Sequence, residues 1–336
     1  MIITKTPFRM SFFGGGTDMP DFFNKFGGAV ISTSFDKYCY VTVRHLPPFF
    51  DYNSEIAYSK IERVGEAEEI NHPLVRNAME YLDIKDIRLT YEADLPARSG
   101  LGTSSSFAVG MLNAFHKLKG KNVEAKRLAD EAIHAERVLC NEAGGWQDQI
   151  AAAYGGFNRI NFKDDSYEVI PIKIDDTRKN KLNDRLMLFF TGFTRLSSDI
   201  QKESKSIEEK ENELKQMLAL VDEAQDILEN PERNLDDFGR LLDKTWQLKR
   251  KTGNNVSTGS IDDFYKKGID AGALGGKLLG AGGGGFLLFY VPEDKKKDVE
   301  NAMAELLNIP FRFSNDGSTI VYDSPETYSF RGAEEL

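Results

Sequence analysis

The sequence predicts a two-domain protein of mixed α/β (α+β) class. Three observations predict it: 336 residues suffice for two domains, strands and helices alternate without repeats, and the apolar periodicity lapses near Ile174–Asp184. We therefore expect an N-terminal domain at residues 1–178 and a C-terminal domain at residues 179–336.

The elements predicted for the N-terminal half follow from composition and spacing. Runs rich in β-branched and aromatic residues predict strands at Ile2–Thr6, Ala29–Ser34, Tyr38–Arg44 and Ile87–Glu92. A helix is expected at Phe107–Leu118, with Thr103 and Ser104 capping its first amides. Apolar residues at helical spacing predict a second helix at Val123–Cys140, and short strands return within Phe157–Ile174.

The C-terminal half alternates in the same way. Apolar runs predict strands at Leu186–Thr191, Phe286–Val291, Phe311–Ser314 and Thr319–Tyr322. Helices are expected at Ser198–Leu228, Leu235–Arg250 and Lys295–Leu307. The segment Gly275–Gly285 is predicted to be a loop.

The charge balance narrows the class of partner. Acidic residues outnumber basic ones by 53 to 43, and the net charge of −10 disfavours nucleic acid and anionic membranes. Cys39 and Cys140 lie far apart and outside any CxxC pair, which favours free thiols in a reducing compartment. The N-terminus is not typical of a signal peptide, and no apolar run approaches the roughly 20 residues that span a bilayer. We therefore expect a cytoplasmic protein.

The segment Pro96–Ser106, called the phosphate loop below, has the properties of a polyphosphate site. Gly100 and Gly102 allow close approach of a ligand to the backbone, and the following helix directs its N-terminal amides to the same place. Three hydroxyls, of Thr103, Ser104 and Ser105, could bind phosphate oxygens or Mg²⁺. The alternative is a capped helix without a ligand. The loop is not a Walker A motif, because the chain contains no GxxxxGK[ST].

A second glycine-rich segment, Gly280–Gly285, is called the glycine loop below. It fits GxGxxG, but a strand follows it where a dinucleotide site would need a helix. A hairpin turn needs only one or two glycines, so the additional ones indicate that something packs against bare backbone. That neighbour could be a ligand or another loop.

Three segments together resemble the motifs of the GHMP kinases, which include galactokinase, homoserine kinase, mevalonate kinase and phosphomevalonate kinase. The segments are Thr6–Asp18, Leu95–Ser105 and Lys277–Phe286, and their order and spacing cover nearly the whole chain. The resemblance implies an N-terminal domain like domain 2 of ribosomal protein S5, a ferredoxin-like C-terminal domain, and ATP and substrate in the cleft between them.

The resemblance also implies an ATP site and a magnesium site. The residues expected to bind ATP are Pro96, Arg98, Ser99, Gly100, Leu101, Gly102, Thr103, Ser104, Ser105, Gly282 and Gly283. Ser104 and Glu136 are expected to hold Mg²⁺ as hard oxygen ligands. For Glu136, an exposed helix carboxylate is an equal alternative.

Two residues are expected to carry the chemistry. Asp148 matches the catalytic aspartate of the family, either as a base for the acceptor hydroxyl or as a group that positions it. Arg9 would pair with Asp148 or with the transferring phosphoryl group.

Within the family, the chain resembles the D-glycero-D-manno-heptose 7-phosphate kinases at Gly14–Asp18, Thr191–Arg195 and Gly144–Gln149. Galactokinases carry Gly-Glu-His-Thr-Asp at the first of these, of which only the last two residues remain here. The residues expected to bind substrate are Gly14, Gly15, Gly16, Thr17, Asp18, Gly145 and Arg195. Asp18 could also cap the helix Pro20–Phe26.

A substrate that already carries phosphate needs basic partners. Arg195 and Arg98 are the candidates, whereas Lys249–Lys251 are better explained by favourable charge at a helix C-terminus. The expected function is therefore Mg²⁺- and ATP-dependent phosphorylation of the anomeric hydroxyl of a heptose 7-phosphate, which feeds nucleotide-activated heptose synthesis. The alternatives are a fucokinase-like anomeric kinase and a non-catalytic homologue that binds sugar and ATP. A homodimer is left open.

Overall fold

The computed structural model describes residues 1–47, 49–97, 99–192, 206–253, 256–280 and 282–324. The strands are β1 Ile2–Phe13, β2 Gly28–His45, β3 Ser54–Ala57, β4 Ile61–Val64, β5 Ile87–Ala93, β6 Phe157–Lys163, β7 Ser166–Pro171, β8 Leu186–Phe190, β9 Gly275–Leu278, β10 Phe286–Tyr290, β11 Leu307–Asn308, β12 Phe313–Ser314 and β13 Thr319–Asp323. The helices are α1 Pro20–Phe26, α2 Pro73–Leu82, α3 Thr103–Leu118, α4 Ala125–Ile133, α5 Gln147–Tyr154, α6 Asp176–Asp184, α7 Ile207–Glu229, α8 Asp236–Lys251, α9 Gly259–Asp270 and α10 Lys296–Ala302.

The larger of the two sheets is organised around the long strand β2. Its main path is β13-β1-β2-β5-β3-β4, with β6 and β12 also paired to β2, and β7 paired to β6. The first part of β2 pairs with β6 and its last part with β5, so one strand serves two partners in succession. The pairing of β3 with β5 is parallel. Helices α3, α4 and α5 pack together, and α3 covers β1 and β2.

The smaller sheet has the order β11-β8-β10-β9 and is antiparallel throughout. Helix α8 packs on β9 and β10 and also reaches β1, while α7 packs on α8, β1 and β2. The C-terminal helices therefore lie directly on the strand that carries Arg9.

A common apolar core joins the two sheets. The rings of Phe12 and Phe13 on β1 lie 5.3 and 5.1 Å from the ring of Phe238 on α8, both edge to face. All three side chains are fully buried, and burial of each contributes on the order of 2–3 kcal/mol. The relative position of the two halves, and of any site between them, is therefore fixed by packing.

The last two strands return to the large sheet. Phe313 on β12 pairs with Phe35 of β2, and Thr319 on β13 pairs with Lys5 of β1. The predicted domain boundary at residue 178 stays a prediction. The strands β12 and β13 lie after that boundary in sequence but belong to the sheet of the N-terminal half.

The predicted α/β (α+β) class is confirmed, but several predicted boundaries are wrong. Ala29–Ser34 and Tyr38–Arg44 are one continuous strand, and Val123–Cys140 is α4 followed by a π-helical segment, His134–Leu139. The helix expected at Lys295–Leu307 ends at Ala302. Residues 198–205 of the predicted helix Ser198–Leu228 lie outside the described residues.

The expected loop Gly275–Gly285 begins with a strand, β9. A Cβ on Gly275 would lie 2.0 Å from the carbonyl oxygen of Gly239 on α8. Glycine is needed there because helix and strand backbones touch, and pairing with β10 then overrides its poor strand propensity. In the described residues, none of the helices is both long and apolar enough to cross a membrane.

Candidate active site

Arg9 and Asp148 form the centre of the candidate site. Asp148 lies in the first turn of α5, and its Oδ1 accepts from Nε and Nη2 of Arg9, both at 2.7 Å. The Arg9 side chain is 5% exposed and that of Asp148 is 26% exposed. The guanidinium is thus held inside the protein, while the carboxylate keeps a face that a ligand can reach.

Arg9 also holds the phosphate loop. Its Nη1 donates to the carbonyl oxygen of Gly100 at 2.8 Å, and its amide donates to that of Leu101 at 3.1 Å. Leu101 is fully buried, so its side chain is not presented to a ligand. Arg9 therefore connects the first two motifs to Asp148.

The two glycine-rich loops pack against each other. A Cβ on Gly100 would lie 2.4 Å from the carbonyl oxygen of Leu279, and one on Gly280 would lie 2.2 Å from Cα of Gly100. Both glycines have positive φ, of +80° and +82°. Of the two neighbours considered for the glycine loop, another loop is therefore the one the structure shows.

Thr103 and Ser104 lie inside helix α3, which begins at Thr103, and not ahead of it as N-caps, which corrects the prediction for these two residues. The N-cap position is Gly102, without a side-chain cap. The hydroxyls of Ser104 and Ser105 instead donate to Glu136, at 2.9 and 2.7 Å. The first amides of α3 are thereby left without a side-chain cap beside the phosphate loop, as an anion site requires.

Glu136 is buried at 2% exposure, so the alternative of an exposed helix carboxylate is wrong. It lies in the π-helical segment, and its Oε2 also accepts from the side-chain amide of Gln149. Ser104 and Glu136 thus lie together, as a shared cation site requires. The described residues contain no cluster of three or more His, Cys, Asp or Glu that could hold a metal.

The segment Gly14–Asp18, called the substrate loop, presents the carboxylate of Asp18. That carboxylate accepts from the amides of Gly16 at 2.9 Å and Gln147 at 3.2 Å, and it does not cap α1. Asp18 is 3% exposed. Burial, and then the nearby Asp148 carboxylate, raise the pKa of Asp18. The two acids are thus close enough to interact, and Asp18 stays protonated to higher pH than usual.

Gly145 lies against the Asp18 carboxylate, while Gly15, within the substrate loop, faces Ser11 and Gln147. A Cβ on Gly145 would lie 1.9 Å from Oδ2 of Asp18, so no other residue fits there without displacing the acid. Oγ of Ser11 and Nε2 of Gln147 are the atoms nearest to a Cβ built on Gly15, at 3.7 and 4.0 Å. Among the described residues, Oγ of Ser11 and Oε1 of Gln147 are buried without a hydrogen-bond partner. Buried polar atoms without a partner indicate where a polar ligand would bind.

The remaining residues predicted to bind substrate or ATP differ in their burial and in their contacts. Thr17 is fully buried, and its hydroxyl lies 2.8 and 2.9 Å from the carbonyl oxygens of Gly14 and Ala29, to either of which it can donate, so it shapes the substrate loop from inside. Ser99 is fully buried and Pro96 is exposed. The amide of Gly283 donates to Val256 at 3.2 Å, and Gly282 packs on the same residue. Arg98 and Arg195 lie outside the described residues.

Sequence reasoning gave Lys277 no role of its own and set Lys249 aside, but both lysines lie near the candidate site. Lys277 of β9 is 2% exposed and donates to the carbonyl oxygens of Ser11 and Phe12 at 2.8 and 2.9 Å. Burial, followed by the charges of Lys249 and Arg9, lowers its pKa well below 10.5. Lys249 of α8 donates to the carbonyl oxygen of Gly280. A lysine within the apolar run before the glycine loop was the only sequence signal for the first of them.

Fold and site together define a small-molecule kinase. Residues 71–156 match the family model of the GHMP kinase N-terminal domain, and residues 220–309 match that of the GHMP kinase C-terminal domain. The chain belongs to the GHMP kinases and is a phosphotransferase. ATP is the phosphoryl donor of this family.

The relatives are kinases of sugars and mevalonate. The chain is 31% identical to a D-glycero-alpha-D-manno-heptose 7-phosphate kinase of Campylobacter jejuni, over 90% of this chain and 93% of that protein. The structure of a D-glycero-D-manno-heptose 1-phosphate kinase from Bacteroides thetaiotaomicron has a TM-score of 0.78 at 25% identity, covering 97% of this chain and all of that one. A putative sugar kinase from Campylobacter jejuni has a TM-score of 0.74 at 26% identity, covering 95% and 97%.

Proposed function

We propose that the protein transfers the γ-phosphoryl group of ATP to the anomeric hydroxyl of D-glycero-D-manno-heptose 7-phosphate. The product would be the 1,7-bisphosphate, for nucleotide-activated heptose synthesis. The observation that carries the proposal is the 31% identity, over almost the full length of both chains, with a heptose 7-phosphate kinase. Buried polar atoms of Asp18, Ser11 and Gln147 beside the substrate loop support a ligand rich in hydroxyl groups.

In this proposal the substrate loop and Gly145 position the sugar. Asp18 accepts from, or when protonated donates to, sugar hydroxyls, and the tight contact with Gly145 fixes its carboxylate. Of the three glycines in this loop, Gly15 leaves room for the sugar beside Ser11 and Gln147. Gly14 and Gly16 instead allow the loop to pack closely on the protein, since a Cβ on Gly14 would lie 1.9 Å from the carbonyl oxygen of Ala29 and one on Gly16 would lie 3.0 Å from Leu214. Arg195 is proposed to bind the phosphate that the substrate already carries, which a planar guanidinium suits well.

The transfer step joins the acceptor oxygen to the γ-phosphorus and breaks the bond from that phosphorus to the β–γ bridging oxygen. Asp148 receives the acceptor proton, or positions the hydroxyl while the proton passes to solvent. Arg9 aligns Asp148 through two contacts and, with the amides at the start of α3, stabilises the charge that develops on the transferring group.

Ser104 and Glu136 are proposed to hold the Mg²⁺ that accompanies ATP. Both supply the oxygen ligands that Mg²⁺ prefers, and a site with only one or two protein ligands, completed by phosphates and water, is typical of this ion. The ion would neutralise charge on the phosphates. The serine hydroxyls that now donate to Glu136 could rotate, because a lone pair and not a proton must face a metal.

The test is coupled ADP-release kinetics over a panel of acceptors. Heptose 7-phosphate should give the highest kcat/KM. Comparable turnover with fucose would favour the fucokinase-like alternative, for which a bifunctional fucokinase of Arabidopsis thaliana is 26% identical over 70% of this chain. ATP and sugar binding without turnover would indicate the non-catalytic homologue.

The position of transfer needs its own measurement, because one relative is named a 7-phosphate kinase and another a 1-phosphate kinase. Phosphorus NMR of the product should show a new anomeric phosphate when heptose 7-phosphate is supplied. Turnover of heptose 1-phosphate instead, with phosphate added at another carbon, would contradict the proposed regiochemistry.

A further inference from the structure

Lys249 is half-buried in the last turn of α8, but its side chain does not serve the end of that helix. The carbonyl oxygen of Lys249 accepts from the hydroxyl and amide of Thr252, at 2.7 and 3.0 Å. The neighbouring Arg250 pairs with Asp262 of α9 at 2.9 Å. The ammonium group of Lys249 instead extends to the glycine loop, where it donates to the carbonyl oxygen of Gly280. Favourable charge at a helix C-terminus, the interpretation preferred from sequence, therefore does not explain this lysine.

The acceptor of that hydrogen bond lies at the contact between the two glycine-rich loops. Gly280 packs on Gly100, and Gly100 is itself bound through its carbonyl oxygen by Arg9. Two cations, one from β1 and one from α8, thus converge on the same contact from opposite halves of the chain. The amides at the start of α3 follow directly from this loop.

The charges around Lys249 are those of the candidate active site. Burial first, and then Arg9, lower its pKa to about 8, while Asp18 and Asp148 act in the opposite direction. Lys277 of β9 is a further lysine close enough to interact with it when both are protonated. Within the described ranges, the ammonium group of Lys277 donates two of its three N–H groups to main-chain carbonyl oxygens of β1. The ammonium group of Lys249 makes one hydrogen bond, which leaves two N–H groups for a ligand.

We propose that Lys249 is a catalytic residue contributed by the C-terminal half, which donates to the γ-phosphoryl group of ATP together with Arg9. As the acceptor oxygen bonds to the γ-phosphorus and ADP leaves, negative charge on the transferring oxygens is met by two cations anchored at one point of the loops. The proton of the acceptor goes to Asp148 or solvent, and Lys249 keeps its own. The proposal rests on the kinase class and not on the identity of the acceptor.

The first test is nucleotide binding without acceptor. We expect Lys249→Met to weaken binding of ATP by about tenfold or more, with binding of ADP nearly unchanged, because only ATP carries the γ-phosphoryl group. Isothermal titration calorimetry in MgCl₂ measures both. Lys244→Met, an exposed lysine on the same helix, is the matched control and should bind both nucleotides normally. Because no sugar is present, this result is independent of whether the proposed heptose substrate is correct.

The second test is the pH dependence of kcat/KM for ATP. If the charged lysine is needed, wild-type activity should decline above a pH of about 8, the pKa that burial and Arg9 give Lys249. Lys249→Arg should keep its activity to higher pH, because a guanidinium does not deprotonate in this range. Lys249→Met should lower kcat by about 100-fold, with the thermal unfolding midpoint recorded to verify folding.

Three results would overturn the proposal. The first is an unchanged ratio of ATP to ADP affinity in folded Lys249→Met with normal kcat, which would leave the lysine a purely structural tie to Gly280. The second is a loss confined to KM for the sugar phosphate, which would assign the lysine to the phosphate of the acceptor. The third is a decline of kcat/KM for ATP at alkaline pH that is the same in wild type and in Lys249→Arg.

Discussion

Gly145 offers the sharpest test of the acceptor site, because one methyl group would displace one carboxylate. A Cβ built at this position lies 1.9 Å from Oδ2 of Asp18, 2.4 Å from its Cγ and 2.9 Å from its Oδ1. Carbon and oxygen atoms that are not bonded do not approach this closely. In Gly145→Ala the whole carboxylate of Asp18 must therefore retreat by at least about 1 Å.

The size of the effect follows from that displacement. The two amide hydrogen bonds that fix Asp18, from Gly16 and Gln147, cannot both survive the movement. A misplacement of about 1 Å at a substrate-positioning group costs on the order of 100-fold in rate, which corresponds to about 2.7 kcal/mol of transition-state stabilisation. We expect kcat/KM for the acceptor to fall by this factor. Binding of ATP should stay normal, because a Cβ on Gly145 would meet Asp18, whereas the phosphate loop is held by its packing against the glycine loop.

Coupled kinetics at varied acceptor concentration and calorimetry with ATP measure the two quantities. Gly259→Ala is the matched control, since a Cβ there meets nothing within 4 Å. Wild-type kcat/KM in Gly145→Ala would show that the Asp18 carboxylate does not position the acceptor. A parallel loss of ATP affinity would show that the substitution damages more than the acceptor site.

Three further predictions concern the base, the loop contact and the buried lysine. Asp148→Asn should lower kcat by about 10²–10⁴-fold while ATP still binds, and near-normal turnover in a single-turnover assay would remove Asp148 from the proton transfer. Gly100→Ala should lower the melting temperature and weaken ATP binding more than Gly120→Ala, which has a similar positive φ but open space around it; equal effects would mean that backbone strain alone matters. Because burial lowers the pKa of Lys277 well below 10.5, the unfolded chain holds this proton over a pH range in which the folded chain releases it, so the contribution of Lys277 to the unfolding free energy should rise with pH toward 10.5. Urea titrations should show a smaller rise for Lys277→Met, and equal slopes would contradict this reasoning.

The sequence predicted what local chemistry specifies. Some features can be recognised from a sequence pattern of only a few residues. They include glycines that need positive φ, a loop that leads into a helix, and a strand that ends at the substrate loop. The three motifs therefore indicated the family, Arg9 and the phosphate loop, the match at Gly144–Gln149 indicated Asp148, and the alternation of strands and helices indicated the α/β class. The predicted bounds of an element were wrong where the segments that pack against it are distant in sequence. Gly275–Leu278 is a strand because β10 and α8 are beside it, and nothing in its own residues shows that.

Several features of the site were decided by the tertiary structure alone. The hydroxyls of Ser104 and Ser105 turn to Glu136 because a π-helical segment brings that carboxylate to the start of α3. Lys249 reaches the site only because α8 packs across β9 and β1. A lysine at a helix end looks the same in sequence whether it faces water or a phosphate site, because its role depends on residues far from it in sequence, such as Gly280, Arg9 and Asp148. Local motifs thus determined the family and the chemistry, while long-range packing decided which charges surround the transferring group.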